Sequence, residues 1–131
     1  MIKYVFNIED YWKVIVYYNI DYNLFNNIYK DLKYIGINYK YINRIYNRMS
    51  KHKTKAITIS NVNKYISVVL FNTHKTYYDY INSIIHEAEH IKQHMLRSYK
   101  VLDEGEPPAY TVGYVATKML QLKLGKFKLL R

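Results

Sequence analysis

The sequence predicts an α+β domain, and three observations carry that expectation. Half of the 131 residues are hydrophobic and 17% are aromatic, enough to fill one core. After a short N-terminal strand the spacing of apolar residues is helical up to about residue 50; residues 56–60 alternate, 65–71 are β-branched and aromatic, and the helical spacing returns from 77 onward. With only 4 Gly and 2 Pro, and no Gly/Ser/Pro linker, the chain reads as a single domain over residues 1–131 rather than two domains or a disordered segment.

Taken in order, residues 2–6 read as a short strand. Over residues 8–18, Trp12, Ile15 and Val16 fit one face of a helix started near Asn7. Residues 21–35 predict a second helix, with Leu24, Phe25, Ile28, Leu32 and Ile35 on one face and Gly36 stopping it. Residues 39–49 predict a third, and the cluster Lys51-His52-Lys53-Thr54-Lys55 a solvated loop. Residues 56–60 alternate, residues 65–71 are β-branched and aromatic, and Asn61-Val62-Asn63-Lys64 joins them as a hairpin. A long helix follows over 77–101. The last helix opens at Pro107-Pro108, where proline suits a first turn, and is expected to end before Gly125. That leaves a basic tail, about 123–131, with Lys123, Lys126, Lys128 and Arg131. The expected order is N-terminal helices, a small antiparallel sheet, then two helices.

Composition removes several kinds of chemistry. The absence of cysteine excludes disulfides, thiolate metal sites and a cysteine nucleophile. The formal charge of +10 suggests an anionic partner, nucleic acid among them. Ile, Asn, Lys and Tyr make up 61 residues, however, and Lys outnumbers Arg 16 to 4, a bias that A/T-rich codons produce without selection for binding. No signal-like or membrane-spanning segment is evident, so a cytoplasmic location is expected.

The chemistry-bearing motif is Ile84-Ile85-His86-Glu87-Ala88-Glu89-His90, an H-E-x-x-H. On a helix, two histidines four residues apart reach a single zinc ion, and the intervening glutamate stands beside it to activate a zinc-bound water. Ile81, Ile84, Ile85, Ala88, Ile91, Met95 and Tyr99 define one apolar stripe, with His86 and His90 roughly opposite. The helix is therefore expected to be covered on both sides. The extended pattern with Gly at 93 and His at 96 is excluded by Gln93 and Leu96. His94 continues the histidine ladder, but it lies about 12 Å along the helix from His86, so the three cannot share one ion. It reads as a supporting or substrate-side residue, or as a surface histidine.

Downstream stands Asp103-Glu104-Gly105-Glu106-Pro107-Pro108-Ala109-Tyr110-Thr111-Val112-Gly113-Tyr114. With the H-E-x-x-H, this stretch resembles the zincin metallopeptidases that take a glutamate from a following helix as third ligand, in an E-x-x-A variant. It is also similar to small peptidases of gut bacteriophages and Bacteroides-type bacteria. The resemblance covers residues 84–114. It implies a zincin-like fold, with His86, His90 and Glu106 holding Zn2+, Glu87 as general base and a peptide or protein as substrate. Glu104 stays open as the alternative ligand. Tyr110 stands where many such enzymes carry an acid, so Asp103 or Glu104 would take that supporting role. Ala109, Gly113 and Ala116 or Thr117 form a small-residue stripe that lets the last helix approach the metal helix. Tyr110, Tyr114 and His94 are candidates for stabilising the oxyanion. The resemblance also implies that the 56–71 hairpin offers its edge to an extended substrate. The expectation is a zinc-dependent metallopeptidase. Its alternatives are a non-catalytic zinc-stabilised binding domain and a basic nucleic-acid-associated protein using the 51–55 loop and the tail.

Overall fold

A computed structural model describes residues 1–100 and 103–129, with the side chains of Glu106 and of residues 121–129 outside the described residues. The side chains of the expected basic tail thus lie outside them.

The architecture is α+β, with a four-stranded mixed sheet in the order β1-β2-β4-β3 and four helices. Strand β1 (Ile2–Ile8) pairs antiparallel with β2 (Trp12–Tyr18) from Ile2↔Tyr18 to Ile8↔Trp12. The turn between them uses positive φ at Glu9 (51°) and Asp10 (63°), a backbone twist suited to tight hairpins. A 3-10 turn (Tyr22–Leu24) leads into α1 (Phe25–Tyr34), and α2 (Tyr39–Ser50) follows. Strands β3 (Ala56–Asn61) and β4 (Ile66–Phe71) form the expected antiparallel hairpin. The C-terminal pair is α3 (Tyr77–Tyr99) and α4 (Glu106–Leu129).

Three expectations are corrected. Residues 12–18 are a strand, not part of a helix. Every residue of β2 except Lys13 is buried, because this central strand packs on both faces, and a continuous apolar run carries no period to separate strand from helix. The sheet is mixed rather than purely antiparallel. Strand β2 runs parallel to β4 from Lys13↔Ile66 to Tyr17↔Leu70, and α1 and α2 form the long connection that parallel neighbours need. Helix α4 continues through Gly125 to Leu129, since one glycine costs a helix interior only about 1 kcal/mol.

The sheet separates two cores. On one face, Ile15, Tyr17, Ile59, Ile66, Val68 and Leu70 pack under α1 and α2, against Ile28, Leu32, Ile42, Ile45 and Met49. On the other, Trp12, Val14, Val16, Tyr18, Val69 and Phe71 pack under α3 and α4, against Ile84, Ala88, Ile91, Val115 and Met119. Helix α4 thus packs through Val115 and Met119, and the expected small-residue approach is corrected: Ala109, Gly113 and Thr117 are exposed, and a Cβ at Gly113 would meet nothing within 4 Å. Side-chain oxygens cap two of the helices, Asn38 accepting from the Tyr41 N–H (2.9 Å) and Thr76 from the Asp79 N–H (3.1 Å). Gly36 (φ 95°) ends the turn after α1, where an added Cβ would stand 3.3 Å from the Asn61 amide that donates to the Ile35 carbonyl. Among the described residues no helix is long and apolar enough to cross a membrane.

Candidate functional site

The H-E-x-x-H lies in the middle of α3, and α3 rests on the edge strand β3. Strand alternation sends Ile57 and Ile59 towards α1 and α2, and Ala56, Thr58 and Ser60 towards α3. Two hydroxyls therefore face α3 where a core would place apolar groups. Each is taken up by a side chain of α3.

Thr58 Oγ1 donates to Glu87 Oε1 at 2.9 Å. Glu87 is 3% exposed, and that burial pushes its carboxyl up, opposed by the Thr58 hydrogen bond and by His90 and His86. The second carboxylate oxygen has no partner among the described hydrogen bonds. His86 and His90 stand one turn apart with their Nε2 atoms 3.1 Å apart and their rings edge to face. Two imidazole nitrogens bound at 2.0–2.1 Å to a tetrahedral zinc are about 3.3 Å apart. The pair therefore fits a shared ion, and the same distance also fits one imidazole donating to the other.

The sequence places the histidine face opposite the apolar stripe, which holds, but among the described residues the expected second cover is absent. His86 is exposed and His90 partly so, and Ile85, read as core, is 51% exposed. One face of α3 is enough to bury Ile84, Ala88, Ile91 and Met95 between the sheet and α4, so the histidine side stays open.

His94 sits where β3 and α3 meet, and a chain of hydrogen bonds fixes its state. Trp12 Nε1 donates to Ser67 Oγ at 2.8 Å, Ser67 Oγ lies 2.6 Å from Ser60 Oγ, and Ser60 Oγ lies 2.6 Å from His94 Nδ1. An indole N–H can only donate. Ser67 therefore accepts from Trp12 and passes its own hydrogen to Ser60, which passes its hydrogen to His94. Running the chain backwards would leave the hydroxyl hydrogen of Ser67, a fully buried residue, without an acceptor among the described groups. His94 is thus neutral, with Nδ1 accepting and its hydrogen on Nε2. Burial, then Arg97 and His90, hold its pKa below the ordinary histidine value, in agreement.

The downstream residues distribute differently. Asp103 pairs with Lys92 at 2.8 Å, and Lys92, itself buried, also bonds Glu89 at 2.5 Å, so Asp103 ties the α3–α4 turn to α3. Glu104 is exposed in that turn. Glu106 opens α4, and its side chain lies outside the described residues. Its neighbour Pro107 lines a cleft of about 540 Å³ with Leu96, Tyr99, Tyr110 and Tyr114, on the flank of α3 turned to α4. The two tyrosines suggested for oxyanion stabilisation thus stand apart from the β3 side, where His94 lies. Among the described residues no three His, Asp or Glu side chains are grouped to hold a metal, a statement that does not include Glu106.

Thr58, Ser60, Ser67 and Trp12 escape the sequence reading. Alternation marks Thr58 and Ser60 as one side of a strand without saying that a helix covers that side. Ser67 does leave a signal, as the lone hydroxyl in the buried run of β4. The chain matches no protein-family model, no curated protein and no solved structure.

Proposed function

We propose that the protein is a zinc-dependent metallopeptidase in which His86, His90 and Glu106 hold the ion and Glu87 is the general base. The observation that carries this reading is the convergence of two imidazole Nε2 atoms, 3.1 Å apart on an open helix face, with a buried carboxylate fixed by Thr58. When bound, zinc would supply Lewis-acid polarisation of a peptide carbonyl. The rest of the chemistry falls to side chains. Glu87 takes a proton on its unpartnered oxygen and returns it to the departing amine, and a carboxyl raised by burial is better matched to that exchange near neutral pH. His94, with its hydrogen on Nε2, is the donor for the developing oxyanion. Among the described residues the outer edge of β3 pairs with no other strand, and an extended peptide adds there by backbone hydrogen bonds.

The test is zinc per chain by elemental mass spectrometry after removal of loosely bound metal, together with hydrolysis of an unfolded protein such as casein. One zinc per chain is expected in the wild type and in Glu87→Gln, and its loss in His90→Ala and Glu106→Ala. Folded wild-type protein that takes up no added zinc overturns the reading. Zinc retained in Glu106→Ala but lost in Glu104→Ala moves the third ligand to Glu104.

A further inference from the structure

We propose that the outer face of α2 and the loop after it form a second functional surface, one that binds a nucleic-acid duplex through its phosphate backbone. Between residues 32 and 78 there is no Asp or Glu and there are nine Lys or Arg. The fold gathers several of these onto one line. Ile42, Ile45 and Met49 turn α2 inward, which leaves Lys40, Asn43, Arg44, Asn47 and Arg48 exposed. Lys40, Arg44 and Arg48 follow at four-residue steps of about 6 Å, and Lys51 at the helix end extends the line to about 17 Å. Every long polar side chain on this arc carries N–H donors, and none carries a carboxylate.

Three further observations separate this face from incidental charge. Ion pairs among the described residues involve Lys3, Lys55 and Lys92, so the α2 cations are not neutralised by protein carboxylates. The two acids nearest in sequence are engaged elsewhere, Asp21 capping the turn before α1 and Asp31 pairing with Lys3 at 3.0 Å. Codon bias explains lysine but not arginine. The chain has only four arginines, and two of them, Arg44 and Arg48, lie on this line.

The geometry favours a duplex over a single strand. Single-strand sites offer open rings on which bases stack. Here Tyr39 stands 55% exposed at the start of α2, but the rings further along are engaged: the Arg44 guanidinium lies 5.8 Å from the centre of the Tyr41 ring, and Tyr46 packs on Phe25 at 4.8 Å, so no row of open rings follows the cations. What the line presents is a row of cations, the chemistry of sequence-independent backbone contact. It lies across the sheet from His86 and His90, so it stands or falls independently of the metal site.

The experiment is fluorescence anisotropy of the full chain with a labelled DNA duplex of arbitrary sequence, over a series of salt concentrations. Arg44→Gln/Arg48→Gln and Lys40→Gln/Lys51→Gln are compared with Arg97→Gln/Lys118→Gln, which removes the same charge from α3 and α4. Each α2 pair should make the slope of log K against log salt shallower by about 2, one for each cation lost. The α3–α4 pair should change it far less. Circular dichroism checks that each variant keeps the wild-type fold. Equal losses from both faces overturn the proposal, because net charge alone would then be responsible. So does tighter binding to a single strand, or binding confined to phosphatidylserine vesicles.

Discussion

The two faces of the sheet are built on different rules. Under α1 and α2 the buried side chains are apolar, apart from the Tyr17 hydroxyl, which reaches Asp31 at the rim (2.5 Å), and Asn72, whose amide donates to the Met49 and Thr54 carbonyls at the end of α2. Under α3 and α4 the same sheet carries Thr58, Ser60 and Ser67, and the helix above answers with Glu87 and His94, while Lys92 is buried against Glu89 and Asp103. Burying such groups costs stability unless every one is hydrogen-bonded, and an apolar core would do the structural work more simply. The first face is therefore built as scaffold, and the second gives part of its packing to fixed polar groups, the arrangement the proposed site would need.

The largest expected effect that tests this division is on turnover. Glu87→Gln keeps the shape and the Thr58 contact but removes the base, so peptide hydrolysis should fall about 10²–10⁴-fold with zinc per chain unchanged. A rate within twofold of wild type would leave Glu87 as structure only. Leu32→Ala on the scaffold face should do the reverse. Its side chain is fully buried, and truncation should cost about 2–5 kcal/mol in urea unfolding while leaving zinc content at one per chain in the folded protein. If that variant loses zinc while still folded, the faces are not separable.

A smaller effect probes the seam. Ser67→Ala strands the Trp12 indole N–H in the core and should cost about 1–3 kcal/mol. It also releases Ser60 from its direction, so the His94 ring should no longer hold a single tautomer. Nitrogen chemical shifts of the ring report this, with Nδ1 at its acceptor position in the wild type and shifted towards a protonated value in the variant. A ring that keeps the same tautomer without Ser67 would show that the chain from Trp12 does not set it.

The division also explains what the sequence disclosed. Helices α1, α2 and α3 are legible because one side of each faces water and leaves a period, β3 because it alternates, and β4, buried throughout, because its run is β-branched and aromatic between turn residues. Strand β2 is not, because it is buried between both cores. The H-E-x-x-H is legible because its chemistry depends on local spacing, four residues along one helix. Thr58 and Ser60 become part of the site only through packing between β3 and α3, and no local pattern records a contact across 29 or 34 residues. The parallel pairing of β2 with β4 is likewise long-range: it joins Lys13 to Ile66 across two intervening helices.

The smallest effect is the pH dependence of stability in metal-free protein. In the unfolded chain His94 takes up a proton near pH 6.5, whereas in the fold burial, with Arg97 and His90 nearby, keeps it neutral to lower pH. Between those two points the unfolded state binds more protons, so stability falls as pH drops below about 6.5, by at most about 1.4 kcal/mol per pH unit for one group. His94→Gln retains an acceptor for Ser60 and has no proton to gain, so it should flatten this dependence. Urea unfolding of both chains on either side of pH 6.5 isolates the His94 contribution, because the two chains differ at that position alone. A wild-type-to-variant difference that stays constant with pH would mean that His94 titrates alike folded and unfolded. The polar chain from Trp12 would then be an ordinary part of the core, and the contrast between the two faces would rest on Glu87 alone.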